Sequence, residues 1–465
     1  MARNPRSLSA TAAWMACLAF FLGCTAFLGC AAGSRPPSTS SPATAEGGAP
    51  AARGAADWPQ WRGPNRDGRS PERGLLAEWP EGGPPLAWRA TGLGGGFSSV
   101  AVVAGRIYTL GDLDGRQHAL ALSADDGALL WRAPIGPAWE SEYLGPRATP
   151  TVDGDRLYVM STEGEVVSLE AATGEEVWRR SLPAEFGSHM MQAMGTTDWK
   201  YAESPLVDGD RVIVTPGVTA AAMVALDKRT GATLWQAKIP RLGSAGAYGA
   251  AYSSTVISHG GGVKHYVQLI GRGLIGIEAE SGAFLWGYNR VANDIANIPT
   301  PLVWDDYVFA SSGYGTGAAL IRLAPGAEGG VTAEEVYFLP GETFQNHHGG
   351  LLLHEGHVYT GTGHNRGFPL AIRVADGAVR WGPERNAGSG SAAVTYADGR
   401  IYFRYQNGVM ILVEATPKGY REHGSFEIPD VQHPSWSHPV IAGGRLYLRE
   451  QDTLYCYDVK APAAG

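Results

Sequence analysis

The spacing Gly-x-x-x-Trp occurs five times in this chain: GALLW at 127–131, GEEVW at 174–178, GATLW at 231–235, GAFLW at 282–286 and GAVRW at 377–381. Recurrence over such intervals requires a fold assembled from repeated units rather than one irregular core. About twenty residues before most copies lies a second recurring unit, a tight turn followed by a β-branched and aromatic strand. It reads VAGRIYTL at 103–110, VDGDRLYV at 152–159, VDGDRVIV at 207–214, YADGRIYF at 396–403 and IAGGRLYL at 441–448. Weaker versions are GGVKHYVQ at 261–268, WDDYVFAS at 304–311 and HEGHVYTG at 354–361, which makes eight units spaced about 48 residues apart. That is the period of a propeller blade.

Helical repeats need apolar residues at i, i+3 and i+4 over ten residues or more. The apolar runs here are five to eight residues long, rich in Val, Ile, Tyr and Leu, and cut by Gly, Asp and Pro. Four such strands per unit make one blade. The sequence therefore predicts an all-β protein, an eight-bladed propeller of four-stranded antiparallel blades, with seven blades as the alternative count. Each Trp starts an outermost strand and packs between neighbouring sheets, a structural role. Two units lack it, and their outermost strands are expected at EEVYFLP 334–340 and GSFEIPD 424–430, with Tyr337 and Phe426 in its place. PPLAWRATG at 84–92 carries such a Trp with no blade before it, whereas RLYLREQDTLYCYDVK at 445–460 stops short of an outermost strand. The strand around Trp88 is expected to complete the last blade and leave no open edge.

The 465 residues carry a formal charge of −8 and no block of Lys or Arg, which argues against nucleic acid as a partner. Arg3 and Arg6 precede an apolar stretch from Ala10 to Gly29, and a Ser/Pro/Thr/Gly/Ala tract follows, the pattern of a secretory signal. Residues 1–30 are read as that signal and residues 31–56 as a flexible tether too poor in apolar side chains to bury a core. Phe-Leu-Gly-Cys occurs twice in the signal, ending at Cys24 and Cys30. A small residue before Cys resembles a bacterial lipobox, which implies lipidation at Cys30, with Cys24 as the alternative. The expectation is an exported monomer, periplasmic or held at the outer membrane as a lipoprotein. Three of the four Cys lie in the signal region, so Cys456 has no disulfide partner within the folded body.

VALDKRTGATLW at 224–235 follows the pattern A-x-D-x-x-T-G-x-x-x-W, and VSLEAATGEEVW at 167–178 follows it with Ser168 and Glu170 in place of the Ala and Asp. They resemble the quinoprotein (PQQ) repeat, and the resemblance runs from about Trp58 to the end of the chain. It implies the propeller fold and two kinds of protein: PQQ-dependent dehydrogenases, and cofactor-free propellers such as the outer-membrane barrel-assembly lipoprotein BamB. The dehydrogenases typically carry an adjacent Cys-Cys pair over the quinone, a Glu, Asn and Asp holding Ca²⁺ beneath it, and often a haem-binding C-x-x-C-H. Neither cysteine motif occurs here. The resulting expectation is a non-catalytic scaffold of the cell envelope, binding envelope proteins through its rim loops and needing no cofactor. An alcohol or sugar oxidoreductase using PQQ with calcium is the alternative. DWPQWRGPNRDGRSP at 57–71 resembles a leader found before such propellers in secreted bacterial proteins. Residues 57–83 are expected to form a strap under the ring through Trp58 and Trp61, ahead of a propeller spanning 84–465.

In a propeller, the segments leading into the innermost strands line the axis on one face. Those segments are GGGFSSVAV (94–102), LGPRATPTV (144–152), WKYAESPLV (199–207), GAAYSSTVI (249–257), ANIPTPLV (296–303), FQNHHGGLLL (344–353), AGSGSAAV (387–394) and WSHPVI (436–441). Their polar residues Arg147, Glu203, Asn297, Asn346, His347, His348 and His438 are the candidate axial ligand site. Five of the twelve histidines cluster at His347, His348, His354, His357 and His364. None has a zincin spacing, and a His-His pair on a strand points its side chains to opposite faces, so no metal site is assigned. His354 and His357 sit in a turn and are expected to be exposed, and GTGHNRGFP at 361–369 is expected at the rim. No catalytic residue is assigned, because GSGS at 388–391 and GLGGG at 92–96 lead into no helix.

Overall fold

The computed structural model describes residues 57–191 and 199–462. The signal segment, the tether, Cys24 and Cys30 lie outside the described residues. The short apolar runs form eight four-stranded antiparallel sheets, the all-β ring that the repeats predict. Blades 1 to 7 occupy residues 101–137, 151–181, 206–237, 256–288, 302–340, 352–381 and 392–427. Blade 8 takes three strands from residues 440–458 and its outermost strand from Leu86–Ala90. There Trp88 pairs with Cys456 and Arg89 with Tyr455, antiparallel, so the N-terminal strand closes the ring as expected. Both outermost strands without Trp also form, at Val331–Pro340 and Glu422–Glu427.

A β-bulge aims each signature aromatic residue. In seven of the eight blades the ladder between the third and outermost strands slips by one residue immediately before the Trp or its Tyr substitute. The bulge turns the ring toward the next blade and leaves the preceding residue outside. Exposed Leu130, Val177, Leu234 and Val336 are those outward residues. The indoles of Trp88, Trp131, Trp178 and Trp235 lie on Gly127, Gly174, Gly231 and Gly282 of the following blade. Their Nε1–H groups donate to the carbonyls of Ala124, Ala171, Lys228 and Ala279 in the same turns. Tyr337 reproduces the bond through its hydroxyl, which donates to Val374 O at 2.7 Å.

Blade 7 has no Trp of its own, and the leader supplies one. Trp79 is buried with its ring 5.2 Å from Phe426 and 5.6 Å from Tyr402. Upstream, the leader runs beneath the axis. Trp58 exchanges two backbone bonds with Val102 of blade 1, and Pro59 O accepts from Val152 N of blade 2. Arg66 donates to Ser204 O and Pro205 O ahead of blade 3, and Trp61 Nε1 donates to Thr300 Oγ1 ahead of blade 5. Arg69 donates to Leu353 O of blade 6, Gly68 and Ser70 bond to Tyr396 of blade 7, and Ser70 Oγ donates to Ile441 O of blade 8. The strap thus ties seven blades together and plugs one mouth of the axial channel.

Candidate axial binding site

Seven of the eight innermost strands are only three residues long. Pro150, Pro205, Pro301 and Pro439 stand immediately before four of them. Proline suits this position, because an edge facing the axis has no neighbouring strand to receive its N–H. Above these strands, on the plugged axis, lies a cavity of about 270 Å³. Seven of the eight leading segments contribute to its wall, and Trp61 and Arg62 of the leader contribute to it from below.

Much of the wall is aromatic. Trp436 has its ring 4.8 Å from Phe97, 4.9 Å from Tyr143 and 4.9 Å from His348, and its Nε1 donates to Gln406 Oε1 at 3.0 Å. Trp199 meets Tyr252 edge-on at 5.9 Å, and Tyr314 meets His347 at 5.3 Å. Arg147 braces the loop that carries Tyr143. Its guanidinium lies 4.5 Å from the Trp139 ring and donates to Tyr143 O at 2.6 Å and Gly145 O at 3.1 Å.

His347 and His348 are not on a strand. They occupy a bend ahead of Gly349-Gly350, so their rings, expected on opposite faces, sit 4.4 Å apart and both line the cavity. Gly350 has φ +82°, and a Cβ there would lie 2.1 Å from Arg62 Nη1, so only glycine fits the bend. His347 bonds through Nδ1 with Ser391 Oγ at 2.8 Å and through Nε2 with Tyr314 OH at 3.1 Å. His438 donates its Nε2–H to His348 O at 3.1 Å, which leaves Nδ1 as the lone-pair nitrogen. Burial, reinforced by neighbouring imidazoles and arginines, holds His347 to about 2 and both His348 and His438 to about 3. All three are therefore neutral at neutral pH. Among the described residues, the buried atoms His348 Nε2, His438 Nδ1 and Arg62 Nη1 have no hydrogen-bond partner.

Three candidates lie away from the cavity. Glu203 is buried between blades 3 and 4, accepting from Thr215 N and Oγ1 at 2.7 Å each and from Thr255 and Gln268 at 3.2 Å. Burial pushes its carboxyl up to about 7. Asn297 donates to Ile270 O and Gly271 O, and Asn346 donates to Thr360 Oγ1 and Gly361 O. These side chains shape the loops from behind. His354 is not the exposed turn residue expected: the leader covers it, with Arg69 Nη2 3.4 Å from its Nδ1 and its ring 4.4 Å from Tyr396. The 361–369 loop also turns inward. Tyr314 N donates to His364 Nδ1, and Asn365 lines the cavity while accepting from Ser391. Among the described residues no Asp or Glu lines this cavity, and no three His, Cys, Asp or Glu side chains are grouped to hold a metal ion.

The aromatic wall has no sequence motif. Its signal is that Phe97, Trp199, Tyr252 and Trp436 each fall within a segment whose position relative to an innermost strand places it on the axis.

Residues 115–383, more than half of the chain, match the family described as outer membrane protein assembly factor BamB. Relatives bearing that name include one from Kangiella koreensis, 25% identical over 225 residues, covering 47% of this chain and 49% of the relative. Another, from Nitrosomonas eutropha, is 26% identical over 167 residues, covering 35% of this chain and 34% of the relative. The chain thus spans about half or less of the length of the curated relatives it matches. Among solved structures, BamB from Moraxella catarrhalis superposes with a TM-score of 0.54 at 14% identity, covering 79% of this chain and 96% of that one. The quinohemoprotein alcohol dehydrogenase from Comamonas testosteroni gives 0.58 at 13% identity, covering 90% and 82%. These two likenesses establish a shared propeller fold. The match across blades 1 to 6 carries more: the chain belongs to the outer membrane protein assembly factor BamB family.

Proposed function

We propose that this protein is a non-catalytic scaffold of the bacterial cell envelope, exported, held to a membrane by a lipid on Cys30 or Cys24, and binding envelope assembly proteins through its rim loops. The observation that carries this reading is the family match over residues 115–383, on a ring closed at its seam and plugged by its own leader. Such a ring offers partners a circle of loops around the axis. Arg366 and Phe368, in the loop whose Asn365 reaches the cavity, are the first rim positions to test.

The shared fold with the quinohemoprotein alcohol dehydrogenase keeps an oxidoreductase as the second reading. The chemistry of the wall speaks against it. A tricarboxylate quinone with its calcium calls for carboxylate oxygens around the metal and cations around the acid groups. Among the described residues the wall has no carboxylate, and Arg147 already bonds to Tyr143 O and Gly145 O. That donor set does not fit the group, and we assign no cofactor. Cross-linking in intact cells, purification of the native protein and mass spectrometry of what accompanies it test the scaffold reading. Enrichment of outer-membrane assembly proteins, weakened by changes at Arg366 and Phe368, is expected. Recovery of the protein alone at every cross-linker concentration contradicts it.

A further inference from the structure

We propose that the axial cavity binds a neutral sugar ring, as one unit of an uncharged oligosaccharide. This goes beyond the scaffold reading and does not rest on it. The wall offers flat apolar faces on different sides of one small space: Trp436 with Phe97 and Tyr143 on one side, Trp199 with Tyr252 on another. A pyranose presents C–H faces that pack on such rings, while its hydroxyls project from the edge.

The same wall carries neutral polar side chains between the rings: Ser254, Asn365, Gln406 and Ser437. The hydroxyl groups of a sugar both donate and accept, so they match the amides and hydroxyls of such a wall. A lipid tail or the phenyl ring of a partner protein fills the same aromatic space and offers those groups nothing to bond. Among the described residues the wall carries no carboxylate to attract a cation, and its three histidines stay neutral. Its two guanidiniums are held by the protein, Arg62 on Asp67 O and Leu351 O and Arg147 on Tyr143 O and Gly145 O. Among the described residues the wall therefore offers no carboxyl pair for glycoside cleavage, and the proposal is of binding alone.

The test is isothermal titration calorimetry on the purified folded protein with short neutral oligosaccharides of glucose, mannose, xylose and N-acetylglucosamine. Saturable binding of at least one series is expected, weakened about tenfold or more in Trp436→Ala. Trp199→Ala serves as a second variant across the cavity, and melting curves without ligand confirm that both still fold. No heat with any series overturns the proposal. Binding that neither variant weakens overturns it as well, because the sugar then sits elsewhere. Saturable stabilisation by PQQ with calcium, lost in Trp436→Ala, also overturns it by giving the cavity a charged occupant.

Discussion

The indole of Trp178 lies flat against Gly231 of the next blade, where a Cβ would come within 2.8 Å of the ring. The same indole donates its Nε1–H to Lys228 O at 3.0 Å, so one side chain both fills and bonds the seam between blades 2 and 3. Gly231 has φ +73°, which adds backbone strain to the clash for any other residue. Gly231→Ala is expected to destabilise the protein by roughly 2–3 kcal/mol. Trp178→Ala should cost about 3–5 kcal/mol, and the double variant less than the sum, since the methyl then enters the space left by the ring. Urea unfolding of the four proteins measures this. Strict additivity would show that the two residues do not share a seam.

The leader is expected to be part of the fold's stability. Arg66 is 3% exposed and donates to Gln60 Oε1, Ser204 O and Pro205 O. Arg66→Met keeps much of the volume and removes those donors, with an expected loss of roughly 3–5 kcal/mol. Limited proteolysis should then cut between residues 57 and 83 before it cuts the blades. An unchanged unfolding midpoint and an intact leader contradict the plug.

Acid should weaken the axial wall. The unfolded chain protonates His438 near its ordinary value of about 6.5, whereas burial holds the folded group to about 3. A depressed base contributes stability that is present above the unfolded value and lost as pH falls below it. Glu203 acts in the opposite sense: its carboxyl is raised to about 7, so its contribution is lost as pH rises through that value. A comparison with His438→Asn isolates one group from the rest. The stability difference between wild type and this variant should shrink by roughly 2 kcal/mol between pH 7.5 and pH 5.0. An equal difference at both pH values contradicts a neutral, buried His438.

The blade count was readable because each blade repeats the same two constraints, a turn before the second strand and a Trp before a seam. Closure was readable for a similar reason: Trp88 stood in an outermost-strand context with no blade before it. The site was less readable. Segment position placed Arg147, His347, His348 and His438 at the axis, where they line the cavity, but it does not say which alternate side chains turn inward. Glu203, Asn297 and Asn346 turn away from the axis into buried positions and bond to neighbouring loops. Strand alternation puts His347 and His348 on opposite faces, whereas the bend they occupy is packed at Gly349-Gly350 against Ala392 and Arg62, distant in sequence. Trp79 could not be assigned to blade 7 from its own surroundings, since nothing local shows that Phe426 leaves a gap beside Tyr402.

The scaffold reading is tested most directly in the native host. Quantitative proteomics of outer membranes should be compared between wild type, a strain lacking this protein, and that strain complemented with the full chain. The account predicts that β-barrel proteins fall in the deletion strain and return on complementation, including with Trp436→Ala, whose change lies in the cavity rather than on the rim. Unchanged β-barrel levels, together with loss of a PQQ-dependent oxidation that Trp436→Ala fails to restore, would contradict it and favour the oxidoreductase.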